Sequence, residues 1–148
     1  MANKQEAEDP FDLSRFVSAQ ESVFDTALRE LQRGEKTSHW MWFIFPQLDG
    51  LGRSSMAKKY AISGLDEARA YLSHPILGRR LLECCRAILS VEGKSALEIM
   101  GNPDDMKLKS SMTLFSLVEG SPAEFREVLL KFFEGEQDQR TMQLLGSG

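Results

Sequence analysis

The stretch FVSAQESVFDTALREL, residues 16–31, decides the fold class of this chain. Five of its apolar residues fall at offsets 0, 7, 8, 11 and 15, on one face of a helix with a period of 3.6 residues. Asp9-Pro10 precedes the stretch and Gly34 follows it. Proline is tolerated in a first helical turn, and glycine readily adopts the left-handed backbone that ends a helix. The stretch therefore predicts one amphipathic helix that ends at Gly34.

Similar signals recur along the chain. Helical spacing of apolar residues follows each of Ser63, Pro75, Pro103 and Pro122. A last short helix is predicted at residues 139–145. Residues 40–48 favour either a short buried helix or an extended core segment, but no other stretch resembles a partner strand. The sequence thus predicts an all-α fold, a bundle of about six to eight helices.

Length and composition indicate a single domain. The chain has 148 residues, of which 42% are hydrophobic and 27% are charged. These values are typical of one globular domain that can bury a core. Since there is no internal repeat or low-complexity linker, we expect one domain at residues 10–145 and mobile tails at residues 1–9 and 146–148.

Charge and hydropathy exclude several classes of protein. The net charge is −4, whereas a general nucleic-acid binder needs a basic surface; a small local anion site stays compatible. The longest apolar block, residues 40–46, is far shorter than the roughly 18 residues that span a bilayer. The polar, acidic N-terminus does not resemble a secretory signal. We expect a cytoplasmic protein with no nucleic-acid or membrane partner.

Few side chains are suited to metals. Cys84 and Cys85 are adjacent, which disfavours a disulfide between them, and two thiols are too few for a four-cysteine zinc site. His39 and His74 show no metal-ligand spacing. We therefore expect reduced thiols, as in the cytoplasm, and neither a metal nor a cofactor.

Polar residues interrupt the aromatic run of residues 34–47. Lys36, His39 and Gln47 stand beside Trp40 and Trp42. In one interpretation the indoles stack on a flat ligand and His39 is a general acid or base. In the other interpretation the rings fill the core and His39 serves a helix end.

A glycine-containing loop, residues 49–55, precedes a helical-looking stretch. Its backbone N–H groups and Arg53 suit an anion. The loop does not match a Walker motif, because Gln47 and Arg53 stand where glycine and lysine are required. The alternative is an ordinary turn in which Ser54 or Ser55 caps a helix.

A later helix carries a third polar group. Asp104, Lys107 and Ser111 are spaced three and four residues apart and share one face, with Ser110 beside them. A lysine near serines suits phosphate binding or hydroxyl activation. The alternative is an exposed Asp104–Lys107 ion pair with solvated serines. Gln20, on the buried face of the first helix, needs polar partners either in the core or in a cleft.

Three strings of this sequence are distinctive: Gly34-x-Lys36-x-x-His39-Trp40-Met41-Trp42-Phe43-Ile44-Phe45-Pro46-Gln47, Gly50-Leu51-Gly52-x-Ser54 and Asp105-x-Lys107-x-x-Ser110-x-x-Thr113-Leu114-Phe115. These strings resemble the bacterial domain-of-unknown-function family 1810. The similarity extends from about Phe16 to about Phe133. The resemblance implies a small, mainly helical protein without an established activity. It gives no support to the label calpastatin that such proteins sometimes carry, because that inhibitor is disordered and this chain is predicted to fold.

Two functions are consistent with the sequence. The first is a site for an anionic small molecule, either nucleotide-like or phosphorylated, such as ADP-ribose. Its catalytic residues, if it is an enzyme, are His39 and Lys107. Its ligand-binding residues are Lys36, Trp40, Trp42, Gln47, Arg53, Ser54, Ser110 and Ser111. The second function is a non-catalytic protein-interaction or adaptor domain with an unknown partner and an exposed apolar patch. The sequence leaves the ligand, the reaction and the oligomeric state open.

Overall fold

A computed structural model describes residues 9–146, and within them the chain forms ten helices and no strand. The helices are α1 (Ser14–Gln20), α2 (Phe24–Arg33), α3 (Met41–Ile44), α4 (Ser55–Lys59), α5 (Leu65–Ser73), α6 (Leu77–Leu89), α7 (Ala96–Met100), α8 (Asp104–Ser116), α9 (Glu124–Phe133) and α10 (Gln139–Gly146). The prediction of an all-α fold is confirmed. There are more helices than expected because the predicted first helix is divided into α1 and α2, and because α7, with five residues, is too short to show a helical period.

The predicted tails lie almost entirely outside the described residues. Residues 1–8 and 147–148 are not among them. Asp9 and Gly146 are described, and each has a place in the fold: Asp9 accepts hydrogen bonds at the start of α1, and Gly146 ends α10. No helix within residues 9–146 is long and apolar enough to cross a membrane.

The predicted first helix is two helices. The N–H group of Val23 donates to the carbonyl of Gln20 at 3.1 Å, a bond across three residues that lies between α1 and α2. Such a turn advances the chain almost as a helix does, so the apolar spacing continues across the break and conceals it. The predicted end of the helix is confirmed, since Gly34 caps α2 in the left-handed conformation with φ of 76°.

Helices α6 and α8 form the centre of the molecule. α8 packs against α5, α7, α9 and α10, and α6 packs against α2, α5 and α9. Six consecutive residues of α8, Ser110–Phe115, are buried, as expected for a helix covered on every side. Asp104 and Lys107, in the first turn of the same helix, are only half-buried. The N-terminal end of α8 therefore places charged side chains near the surface, whereas the later turns of the helix lie in the core.

A chain of aromatic rings connects α3, α1, α5, α8 and α9 through this core. Centroid separations of 5.1 to 5.8 Å are within the range of favourable ring contacts. The successive rings are those of Phe43, Tyr60, Phe16, Tyr71, Phe115 and Phe125. Gln20 supports this chain, because its amide nitrogen donates to the Phe43 carbonyl at 2.7 Å and to the Tyr71 hydroxyl at 3.1 Å. Of the two roles predicted for Gln20, the structure shows the one in the core.

Residues 40–48 combine both of the conformations considered for them. Met41–Ile44 forms α3, and Leu48 then makes a single parallel bridge with Ile62. The Ile62 N–H group donates to the Gln47 carbonyl at 2.9 Å, and the Asp49 N–H group donates to the Ile62 carbonyl at 2.8 Å. This bridge closes a loop around α4 and holds Gln47 in place.

Candidate functional site

The buried carboxylate of Glu30, on α2, organises the loop of residues 35–40. Glu30 is 3% exposed. Its Oε1 accepts hydrogen bonds from the Thr37 and Ser38 N–H groups and from the Trp40 indole, at 2.9 to 3.0 Å. Its Oε2 accepts from the hydroxyls of Thr37 and Ser38. Five donors thus hold one carboxylate, and the loop is folded around it.

These donors keep Glu30 ionised. Burial by itself would raise the pKa of the carboxyl, but the hydrogen bonds from Ser38, Thr37 and Trp40 outweigh it and lower the pKa to about 2. Sequence reasoning missed this residue. The available signal was its position three residues after Ala27, on the buried face of the helix, which is the same signal that identified Gln20.

Trp40 belongs to the core. It is 1% exposed, its indole nitrogen is bound to Glu30, and its ring packs against Phe45 at 6.3 Å. The ammonium of Lys36 lies 4.7 Å from its ring centre. The buried ring is therefore unavailable to a ligand from solution, and the core interpretation applies to this tryptophan.

Asp104 connects two of the predicted site lysines. Its Oδ2 lies 2.8 Å from the Lys36 ammonium, and its Oδ1 lies 3.7 Å from the Lys107 ammonium. Lys36 is well enclosed, with 6% of its side chain exposed, and it also donates to the Ser38 carbonyl at 2.6 Å. Lys107 has 27% of its side chain exposed. One carboxylate is shared by two ammonium groups, so this cluster carries a net charge of about +1.

Trp42 is half-buried, unlike Trp40, and it lies beside this charged cluster. The Lys107 ammonium is 5.7 Å from the centre of its ring, within the range of a cation–π contact. Trp42 and Gln47 also line a crevice of about 10 Å³, with room for about one water molecule. Gly52 lines the crevice as well, and a Cβ there would lie 2.4 Å from the Cβ of Ala57. Trp42 and Gln47 are therefore neighbours on a surface, not the walls of a deep pocket.

In the described part of the chain, no contact connects the other predicted site residues to this cluster. His39 and Arg53 are exposed. Ser54 caps α4, because its hydroxyl accepts from the Ala57 N–H group at 3.1 Å. The glycine-containing loop thus has the capped turn that was the alternative to an anion site.

Ser110 and Ser111 are buried inside the bundle. The Ser110 hydroxyl donates to the Met106 carbonyl, one turn earlier in α8, at 3.2 Å. The Ser111 hydroxyl has no hydrogen-bond partner within residues 9–146. The interpretation of these serines as solvated is wrong, because α8 is covered on all sides at this level. Neither hydroxyl is exposed to a ligand on the surface.

Charge is unevenly distributed along the chain. Residues 36–60 contain four basic side chains and one acidic side chain, Asp49, although the whole chain has a net charge of −4. The basic residues are Lys36, Arg53, Lys58 and Lys59. This segment includes Trp42 and Gln47, and its net positive charge is compatible with binding an anion.

Neither thiols nor metal-binding groups add chemistry to the site. Cys84 and Cys85 are free and buried in α6, and burial raises the pKa of both thiols, which makes them poor nucleophiles. Among the described residues, no group of three or more histidine, cysteine or acidic side chains is placed to hold a metal ion.

Comparisons with known proteins agree with the fold. A family model with the description "Protein of unknown function (DUF1810)" matches residues 10–145. A solved structure, that of the conserved hypothetical protein Rv1873 from Mycobacterium tuberculosis, is similar with a TM-score of 0.92 and 51% sequence identity. The similarity covers 93% of this chain and 99% of that chain. A search of curated proteins found no match.

Proposed function

We propose that this chain, which belongs to the DUF1810 family of proteins of unknown function, binds a small anionic molecule at Trp42 and Lys107. The ligand is nucleotide-like or phosphorylated. The supporting observation is the position of Lys107, whose ammonium lies 5.7 Å from the Trp42 ring centre. It is 3.7 Å from the carboxylate of Asp104, which is already paired with Lys36.

The charge of Lys107 is only partly compensated. Asp104 is nearer to Lys36, at 2.8 Å, than to Lys107, at 3.7 Å, and Coulomb attraction falls with distance. The excess positive charge of the cluster is therefore greatest at Lys107, which is also the more exposed of the two lysines. A phosphate that approaches Lys107 gains attraction without having to displace a tight ion pair.

Trp42 supplies the second half of the site. A half-buried indole beside a cation offers a face on which a planar group can stack. The carboxamide of Gln47, next to it, has both a donor and an acceptor for the edge of such a group. ADP-ribose, which combines a base with two phosphates, has the chemistry that this surface would recognise. If a reaction takes place here, the exposed imidazole of His39 is its acid or base.

Thermal unfolding with a panel of ADP-ribose, ADP, NAD, sugar phosphates and inorganic phosphate tests the proposal. A ligand at 100 times its Kd stabilises the fold by about 2.7 kcal/mol, which is readily measured as a rise in Tm. For a probe that binds, Lys107→Met and Trp42→Leu should each raise the Kd about tenfold or more.

Lys109→Met is the matched control. Lys109 is on the same helix, pairs with Glu136 at 2.8 Å and lies 6.0 Å from the Phe133 ring centre, so it has the same kinds of partner as Lys107. Its replacement should leave the Kd unchanged. A panel without a shift, or equal losses from Lys107→Met and Lys109→Met, would remove the basis for this site.

A non-catalytic interaction domain is the second candidate. It is favoured by the Asp104–Lys107 ion pair and by three exposed apolar side chains, Leu97, Met106 and Leu130. A molecular mass that rises with protein concentration, or co-purification of one protein partner, would support it. A monomer at all concentrations with a ligand bound at Lys107 would count against it.

A further inference from the structure

A groove of about 740 Å³ lies between the N-terminal segment and the junction of α5 with α6. Phe11, Val17, Ala70 and Ile76 form its apolar surfaces. None of the residues predicted from the sequence for the anion site lines it. Its volume is within the range of small-molecule sites, which combine apolar walls with a few polar groups.

His74 supplies one polar group of this groove, and its hydrogen bonds determine its chemistry. Its Nδ1 accepts from the N–H groups of Ile76 and Leu77, at 3.2 and 3.3 Å, at the start of α6. An imidazole nitrogen that accepts carries no proton, so the proton of the neutral ring is on Nε2. Within residues 9–146 the structure shows no hydrogen-bond partner for Nε2. His74 therefore has an N–H donor to offer.

Asp9 supplies the complementary acceptor. Its Oδ1 accepts from the Leu13 N–H group at 2.8 Å, and its Oδ2 accepts from the Ser14 N–H group at 3.1 Å. A carboxylate has about four acceptor positions in all, so Asp9 retains capacity for a further hydrogen bond. Burial alone would raise the pKa of Asp9, but the hydrogen bonds from Leu13 and Ser14, together with the nearby His74, outweigh it and lower the pKa, which keeps the carboxylate charged.

We propose that this groove is a second binding site, for a small molecule with an apolar body and a carboxamide head. The carbonyl of the head accepts from His74 Nε2–H, and its N–H group donates to Asp9. A carboxylate head is disfavoured because Asp9 repels it. An ammonium head is disfavoured because it has no acceptor for the His74 donor, which would then be covered without a partner.

Three probes with the same six-carbon chain separate these heads: hexanamide, hexanoate and hexylammonium. The full chain, labelled with nitrogen-15, is titrated with each probe, and the amide shifts of Ser14, Val17, Ser73 and Ile76 are followed. We expect hexanamide to shift these amides saturably. The Kd of each charged probe should be at least about tenfold higher than that of hexanamide. Equal Kd values for the three probes, or shifts only outside the groove, would overturn the proposal.

Ala70→Met, which fills the groove from α5, should weaken hexanamide binding about tenfold. Ala123→Met, at an exposed alanine outside the groove, is the control and should leave binding unchanged. If Ala70→Met does not fold, Ile76→Thr provides the same test at a half-buried side chain. Unchanged hexanamide binding in a folded groove variant contradicts the site. Trp42→Leu should have no effect on hexanamide, which keeps this result independent of the anion site.

Discussion

The indole N–H group of Trp40 donates to the buried carboxylate of Glu30 at 2.9 Å. Four further donors from Thr37 and Ser38 complete the coordination of the same carboxylate. The loop that carries Lys36 and leads into α3 is thus arranged around one negative charge. The positions of Lys36 and Trp42, and with them the proposed site, depend on Glu30.

Replacing that charge should destabilise the fold. Glu30→Gln presents an amide NH₂ group to donors that need an acceptor, and we expect a loss of about 3 kcal/mol in the free energy of unfolding at neutral pH. Urea denaturation measures it. Glu35→Gln, at an exposed carboxylate in the same loop, is the control and should change the free energy by no more than about 0.5 kcal/mol. Similar values for the two variants would show that the hydrogen bonds to Glu30 contribute little.

The contribution of Glu30 should depend on pH in a defined direction. Its pKa is about 2 in the folded chain, against an ordinary value of 4.5. A carboxyl with a lowered folded-state pKa stabilises the fold above its ordinary pKa, and this stabilisation is lost as the pH falls through the folded-state value. The stability difference between the natural chain and Glu30→Gln should therefore be constant above about pH 5.5 and shrink as the pH falls toward about 2. A difference that stays constant at low pH would contradict the ionised form.

Asp104→Asn should destabilise the fold more than Asp105→Asn does. Both carboxylates are in the first turn of α8 and interact with the same helix dipole, so that effect cancels between them. Only Asp104 neutralises the enclosed ammonium of Lys36. We expect the extra loss in the free energy of unfolding to be about 1–3 kcal/mol. Chemical denaturation of the two variants under the same conditions provides the comparison.

The same substitution should strengthen anion binding. Asp104→Asn removes the carboxylate that partly neutralises Lys107 and repels a phosphate. One interaction between solvent-exposed charges is worth up to about 1 kcal/mol, so we expect the Kd of an anionic probe such as ADP to fall by up to about fivefold. Calorimetric titration of folded Asp104→Asn measures this. A weaker or unchanged affinity would indicate that ADP does not bind near Lys107.

Gly78→Ala should destabilise the junction of α5 and α6. A Cβ at residue 78 would lie 2.2 Å from the carbonyl oxygen of Leu72, and a backbone atom cannot move away as a flexible side chain can. We expect a loss of about 1–3 kcal/mol, measured as a lower Tm. Gly64→Ala is the control, because its Cβ would meet no atom within 4 Å and its φ of 168° is extended backbone. A Tm for Gly78→Ala equal to that of the natural chain would mean that α5 and α6 can move apart without a loss in stability.

The boundaries of the longer helices could be predicted from the sequence because local chemistry sets them. Gly34 ends α2 through its left-handed backbone, and Pro103 immediately precedes α8. The break between α1 and α2 could not be predicted, because the turn at Val23 leaves the apolar period intact. The four-residue helix α3 could be predicted only as one of two alternatives, since one turn of helix has no period to detect.

The residue types of the proposed site were suggested by the sequence: lysines and tryptophans in two separate stretches of the chain. The sequence by itself determined an all-α domain with these polar groups near its aromatic core. Only the tertiary structure decided that Lys36 and Lys107 share the carboxylate of Asp104, that Trp40 is enclosed while Trp42 is half-exposed, and that Ser110 and Ser111 are buried. The physical reason is that periodicity reports which face of a helix is apolar, whereas burial and pairing depend on what packs against the other faces. Four other helices pack against α8, and no local pattern in the sequence indicates these contacts.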